Sequence, residues 1–120
     1  MDRANLDWPN LKFSYTKTDF HLEYDFKEGK WNEGKEIEKD EVTVSIAATA
    51  LHYGQEAFEG LKVFEHKDGI VSAFRPDQNA KRFRRSAEKI LMEPVPEELF
   101  IEAVERIVSL NKRYIPPYGA

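Results

Sequence analysis

The sequence predicts an α+β fold in which a mostly antiparallel sheet carries two helices packed on one of its faces. Three observations lead to this fold class. Apolar and polar residues alternate near residues 20–26 and 42–48, an Asp-Gly pair separates two β-prone runs, and two helical patterns follow Pro76. Because the strands come first and the helices last, the helices are expected to pack together against the sheet.

Two segments in the first half of the chain have the period of a strand. In FHLEYDF, residues 20–26, large apolar side chains alternate with polar ones, which is typical of a strand with one buried and one solvated face. VTVSIAA, residues 42–48, alternates again and is rich in β-branched residues, so it predicts a second strand. The charged segment between them contains two glycines and is expected to be a surface connection.

The middle of the chain predicts a short helix and a hairpin. LHYGQEAFEG, residues 51–60, is broken by glycines and has room for one or two helical turns at most. Strands are expected near residues 61–65 and 70–74. They flank Asp68 and Gly69, a pair that suits the positive φ angles of a tight hairpin turn.

Two helices are predicted in the last third. Pro76 is expected to open the first, because its fixed φ suits a first turn and its missing N–H would have no partner there. The second begins near Pro96, with Glu97 and Glu98 in its first turn and Lys112 and Arg113 expected in its last. The predicted apolar faces are Ala80, Phe83, Ala87, Ile90 and Leu91 for the first helix and Phe100, Val104, Ile107 and Val108 for the second.

Composition limits the classes of function. The 120 residues suit one domain, residues 1–120, and the net charge of −4 argues against a nucleic-acid or membrane-surface partner. The chain has no cysteine and no apolar run long enough to span a bilayer, so a soluble protein of the cytoplasm is expected. The three histidines are scattered without a helical i, i+4 pair, and we therefore expect no metal site.

A basic stretch, FRPDQNAKRFRRSA at residues 74–87, stands out in this acidic chain. It is either the solvated face of a surface helix or an anion site, because a planar guanidinium matches the paired oxygens of a phosphate or carboxylate. The helical spacing of the arginines does not indicate which of them would bind an anion.

ALHYGQEAFEGLKVF followed by FRPDQNAKRFRRSA resembles the amino-terminal region of branched-chain amino acid aminotransferases, the pyridoxal 5'-phosphate (PLP) enzymes of fold type IV. The resemblance extends from about Phe13 to the YIPPYG segment. D-amino acid aminotransferases and aminodeoxychorismate lyases share the fold but usually carry a Gly-Asp-Gly type segment in place of YGQEAFEG. The resemblance therefore favours the branched-chain group.

The resemblance implies a set of site residues. Arg82 takes the position that binds the PLP phosphate, and Tyr53, Phe58 and Phe13 take positions that line the substrate side-chain pocket. Aromatic walls suit leucine, isoleucine and valine, whose methyl groups gain from burial. The implied reaction transfers their amino group to 2-oxoglutarate. The remaining basic residues of the stretch are then expected to be solvated.

The resemblance also implies that the chain is a truncated part of a longer enzyme. In the family, the lysine that forms the Schiff base lies in a carboxy-terminal domain beyond the position of Ala120, so this chain contains no catalytic residue. The small domain itself is expected to be incomplete and inactive alone, and the full-length enzyme to be a homodimer. The alternatives are a stand-alone binding module with the same sheet, and another fold type IV enzyme.

Overall fold

The computed structural model describes residues 2–120, and these form short strands and helices in an α+β arrangement. The helices are α1 (Thr49–Tyr53), α2 (Pro76–Lys89) and α3 (Glu97–Leu110). The strands are β1 (His21–Glu23), β2 (Phe26–Lys27), β3 (Lys30–Trp31), β4 (Lys35–Ile37), β5 (Val63–Glu65) and β6 (Val71–Ala73). Two 3₁₀ turns cover Trp8–Asn10 and Lys112–Tyr114. The predicted α+β class with antiparallel strands is confirmed.

The strands pair as three antiparallel two-stranded units, in which β1 joins β4, β2 joins β3, and β5 joins β6. The β2–β3 hairpin turns at Glu28 and Gly29, which both have positive φ, 52° and 80°. Such turns match the right-handed twist of the flanking strands. This hairpin and β4 occupy the segment that was predicted to be an irregular connection, because strands of two or three residues are too short to show a period.

The prediction of a strand over residues 42–48 is wrong. The side chains of Val42, Val44 and Ile46 are exposed, and the segment ends in a turn in which the Ala48 N–H donates to the Ser45 carbonyl oxygen at 3.0 Å. An extended segment becomes a strand only where a neighbour pairs with its backbone groups. No strand in residues 2–120 pairs with this segment, so its alternating pattern remains without a partner.

The hairpin predicted around Asp68 and Gly69 is confirmed. In it β5 pairs with β6, and Val63 lies opposite Ala73. The His66 N–H donates to the Ile70 carbonyl oxygen at 2.7 Å, and Gly69 takes a φ of 84°. Gly69 is the only member of the Asp-Gly pair with a positive φ, because the turn spans more than two residues.

Helices α2 and α3 form the main packing unit, and α2 begins at Pro76 as predicted. Ala80 and Ala87 of α2 are buried, and the rings of Phe83 in α2 and Phe100 in α3 lie 5.8 Å apart. Tilted aromatic pairs at this separation are attractive. The apolar faces predicted from these four residues are therefore confirmed.

The prediction that Ile90 and Leu91 continue the apolar face of α2 is wrong, because both lie beyond its last residue and are exposed. The helix ends at Lys89, and Leu91 is exposed with a φ of 59°. The Met92 N–H donates to the Ala87 carbonyl oxygen at 2.9 Å, which is the bond of a Schellman helix ending. Pro94 follows soon after, as is common beyond such an ending.

Asn111 joins the end of α3 to the start of β1. Its Oδ1 accepts from the Phe20 N–H at 2.9 Å, and its Nδ2 donates to the Phe20 carbonyl oxygen at 2.8 Å. Arg113 adds two bonds to Asp19, at 2.7 and 2.9 Å. Arg113 was predicted to lie in the last turn of the second helix, but it lies in the 3₁₀ turn that follows α3, because α3 ends at Leu110.

The described chain has more surface than a compact domain of its size. Its radius of gyration is 16.0 Å, against about 13.6 Å expected for this length. Its accessible surface is 9519 Å², against about 6,700 Å² expected for this mass. No helix in residues 2–120 has the length and apolar content needed to cross a bilayer.

Replacing Ala80 tests the packing of α2 on α3. Ala80 is 1% exposed, so Ala80→Leu places a larger side chain where there is no space. We expect the free energy of unfolding to fall by about 1–3 kcal/mol, measured by chemical denaturation. Arg85→Leu, at an exposed position of the same helix, is the control. An equal loss in both variants would contradict the role of Ala80.

Candidate functional site

The candidate site is built around Arg82 of α2. Its Nε donates to both carboxylate oxygens of Glu59, at 3.1 and 3.0 Å, and its Nη2 donates to Glu59 Oε1 as well. The Glu59 side chain is only 5% exposed, whereas the Arg82 side chain is 61% exposed. The accessible guanidinium of Arg82 is thus held by hydrogen bonds to the buried carboxylate of Glu59.

Asn79, one turn before Arg82 on the same face of α2, completes this contact. Its Nδ2 donates to Glu59 Oε1 at 2.8 Å and to the Gly60 carbonyl oxygen at 2.9 Å. The Glu59 carboxylate therefore accepts hydrogen bonds from two side chains of one helix, which satisfies a buried charge.

These bonds set the ionisation of the pair. The hydrogen bond from Arg82 is the main cause that lowers the pKa of Glu59; burial opposes it, and the Asn79 bond adds to the lowering. The same contact raises the pKa of Arg82. Both groups are therefore charged at neutral pH.

Gln55 fixes the other end of the segment that carries Glu59. Its Nε2 donates to the Ile90 carbonyl oxygen at 2.9 Å, and its Oε1 accepts from the Thr49 hydroxyl at 2.6 Å. Residues 55–60 thus lie along α2, from the helix end at Ile90 back to Asn79. Side-chain hydrogen bonds at Gln55 and Gly60 thus hold both ends of residues 55–60 against α2.

The three aromatic residues predicted to line a substrate pocket are all exposed. Tyr53, the last residue of α1, is 84% exposed and Phe58 is 89% exposed. Phe13 lies fully exposed in the irregular amino-terminal segment. Phe58 directly precedes Glu59, so the bonds to α2 fix the backbone that carries its ring. Residues 2–120 bury none of these three side chains.

Other arginines of the basic stretch have different surroundings. Arg84 lies 3.4 Å from Glu97, which links α2 to α3, and 3.9 Å from Glu88. Arg85 is exposed. These positions agree with a solvated or structural role, and they leave Arg82 as the arginine held against the 55–60 segment.

The arrangement suits a phosphate group. A guanidinium has five N–H groups, of which one on Nε and one on Nη2 are directed at Glu59, so three remain. Since more than half of the Arg82 side chain is accessible, those donors can reach an anion from solvent. Charge-assisted bonds of this kind are the strong ones for phosphate.

Sequence reasoning did not identify Glu59, Asn79 or Gln55 as part of the site. One signal was present, because Asn79 and Arg82 are three residues apart on a predicted helix and must share a face. No pattern in the sequence indicated which acidic residue would face them.

Removing Arg82 is expected to reduce the contribution of Glu59 to stability. Arg82→Ala removes the largest cause of the lowered pKa of Glu59, so that pKa moves back toward its ordinary value of 4.5. The native protein gains stability from Glu59 above that value and loses it as pH falls through the lowered pKa. Arg82→Ala should lose part of this stability above the lowered pKa, because the charged form of Glu59 is then less strongly favoured in the folded protein.

Denaturation of Arg82→Ala across about pH 3 to 8 tests this expectation. Compared with the native protein, the variant should become progressively less stable as the pH rises. Arg85→Ala, an exposed arginine of the same helix, is the control and should retain the native profile. Parallel profiles for Arg82→Ala and the native protein would show that Glu59 does not depend on Arg82.

The sequence matches no model of a protein family, but it is similar to individual aminotransferases. It is 47% identical over 116 residues to the branched-chain-amino-acid aminotransferase of Haemophilus influenzae, covering 97% of this chain and 34% of the relative. For the Helicobacter pylori enzyme of that name the identity is 43%, covering 95% and 34%. For branched-chain-amino-acid aminotransferase 6 of Arabidopsis thaliana it is 38%, covering 97% and 33%.

The chain spans about a third of the length of the curated relatives it matches. Every relative named above is an aminotransferase, so the alternative of a stand-alone binding module is not favoured. The resemblance predicted from the two motifs is confirmed: over 95–97% of its length this chain is similar to an amino-terminal part of branched-chain-amino-acid aminotransferases.

Proposed function

We propose that the chain is the amino-terminal part of a branched-chain aminotransferase in which Arg82 holds the phosphate of PLP. The observation that carries this proposal is the accessible Arg82 guanidinium, fixed by a buried carboxylate and retaining free N–H groups. When bound, PLP supplies the electron sink for amino-group transfer. Arg82 contributes orientation, because a fixed phosphate holds the rest of the cofactor in place.

Tyr53, Phe58 and Phe13 are proposed to form walls of the side-chain pocket for leucine, isoleucine or valine. Their exposure supports this role only in a larger protein, where further residues close the pocket around them. Aromatic walls favour apolar side chains by burial and disfavour charged ones by desolvation. The acceptor proposed for the amino group is 2-oxoglutarate.

The covering residues are proposed to come from a carboxy-terminal domain that carries the Schiff-base lysine. The large accessible surface of the described chain supports such a partner, since it exceeds that of a compact domain of equal mass. In keeping with the family resemblance, we further propose a homodimer located in the cytoplasm. We assign no catalytic residue to this chain.

A second candidate is a fold type IV enzyme with another substrate. The similarity to several enzymes named branched-chain aminotransferases favours the first proposal over a D-amino acid aminotransferase or an aminodeoxychorismate lyase. Activity of the full-length protein on L-leucine, compared with D-alanine, separates the two.

Arg82→Ala in the full-length protein is expected to weaken PLP binding by about 10- to 100-fold, because charge-assisted bonds to the phosphate are lost. Titration of the apo-protein with PLP, followed by cofactor absorbance, measures the affinity. Arg85→Ala is the matched control. Equal affinities in the native protein and Arg82→Ala would refute the phosphate role.

Phe58→Ala is expected to lower kcat/KM for leucine by about tenfold, because the substrate side chain loses an apolar wall. The affinity for PLP should stay unchanged, since Phe58 is not assigned to the cofactor. Phe64→Ala, another exposed phenylalanine, is the control. A loss with Phe64→Ala as large as that with Phe58→Ala would count against the pocket assignment.

A further inference from the structure

We propose that Glu59 is the positioning residue for the phosphate-binding guanidinium of Arg82. The inference rests on the proposed role of Arg82 and extends it to a residue that does not touch the cofactor. In this view Glu59 fixes the Arg82 side chain before the phosphate arrives, and its loss weakens recognition of the phosphate in particular.

The burial of Glu59 is the first support. Ion pairs between exposed side chains are mobile and contribute little, because both partners must be ordered. Here one partner is almost fully buried and accepts hydrogen bonds from both Arg82 and Asn79. The carboxylate is therefore a fixed point in the fold, and the guanidinium is held relative to α2.

The second support is the position of Glu59, which bonds only one edge of the Arg82 guanidinium. Glu59 takes the Nε–H and one Nη2–H, so the Nη1 group remains available on the far edge. A phosphate can then bind Arg82 without displacing the carboxylate. Since arginine has many rotamers, holding one of them in advance lowers the ordering cost of binding.

The negative charge of Glu59 acts in the opposite direction, because it repels a dianion. The geometry favours a net gain, since the Glu59 side chain is only 5% exposed, while the Arg82 side chain is 61% exposed and keeps three N–H donors that Glu59 does not occupy. The proposal is therefore tested by whether loss of Glu59 lowers or raises the affinity for the phosphate. A positioning residue increases phosphate affinity, whereas a competing carboxylate decreases it.

The test compares two ligands in the full-length apo-protein, PLP and pyridoxal, which lacks the phosphate. The ratio of the two affinities isolates the phosphate contribution. We expect Glu59→Gln to lower this ratio by about tenfold, through weaker PLP binding with pyridoxal binding unchanged. The control is Glu56→Gln, an exposed glutamate three residues earlier, which should keep the native ratio.

The double variant Glu59→Gln with Arg82→Ala shows whether Glu59 acts through Arg82. If it does, adding Glu59→Gln to Arg82→Ala lowers the ratio no further, so the two losses are not additive. A ratio that rises in Glu59→Gln, or that stays native, overturns the proposal. So does an additive loss in the double variant.

The same experiment separates this proposal from the one on which it rests. If Arg82→Ala leaves the ratio native, the assignment of the phosphate to Arg82 fails. If Arg82→Ala lowers the ratio and Glu59→Gln does not, only the role of Glu59 fails.

Should Glu59→Gln not fold, as judged by circular dichroism, Asn79→Ala is the alternative variant, because it keeps the Glu59 carboxylate and removes one of its hydrogen-bond donors. A smaller loss in the ratio supports the proposal, and an unchanged ratio overturns it.

Discussion

The contact between the Arg82 guanidinium and the Glu59 carboxylate is the interaction on which the arrangement of the candidate site depends. It joins α2, the best packed helix of the chain, to the segment that carries Phe58. A buried carboxylate needs partners to remain charged, and the hydrogen bonds from Arg82 and Asn79 supply them while holding the segment against the helix. One polar contact thereby sets the position of both Arg82 and the backbone that carries Phe58.

Packing within the described residues is concentrated in a small part of the chain. Helices α2 and α3 pack through a phenylalanine pair, while the strands form three two-stranded units, and Asn111 bonds the residue just before β1. The candidate site lies beside this helix pair, which suits the proposed role of Arg82 in holding a cofactor in one orientation. The exposed aromatic residues Tyr53, Phe58 and Phe13 lie outside this helix pair, where the proposed carboxy-terminal domain would complete the walls of the proposed pocket.

The sequence was sufficient for the features governed by local rules. The start of α2 at Pro76 and the turn at Gly69 follow from backbone preferences that hold in any context. The strand expected over residues 42–48 failed because a period of two reports a buried face but not the neighbour that must pair with it. The motif singled out Arg82 as a candidate, but it gave no indication of Glu59, because only the folded backbone shows which carboxylate contacts the helix.

The unpaired segment at residues 42–48 has a consequence for handling the chain by itself. It presents alternating β-branched side chains with no charged residue and no proline, and its backbone groups have no strand beside them. Stretches of this composition can recruit identical copies into intermolecular sheets when they are left uncovered. We therefore expect the isolated chain to aggregate at high concentration. A lysine substituted at an exposed position of residues 42–48 should reduce this aggregation, because its charge opposes the pairing of identical segments.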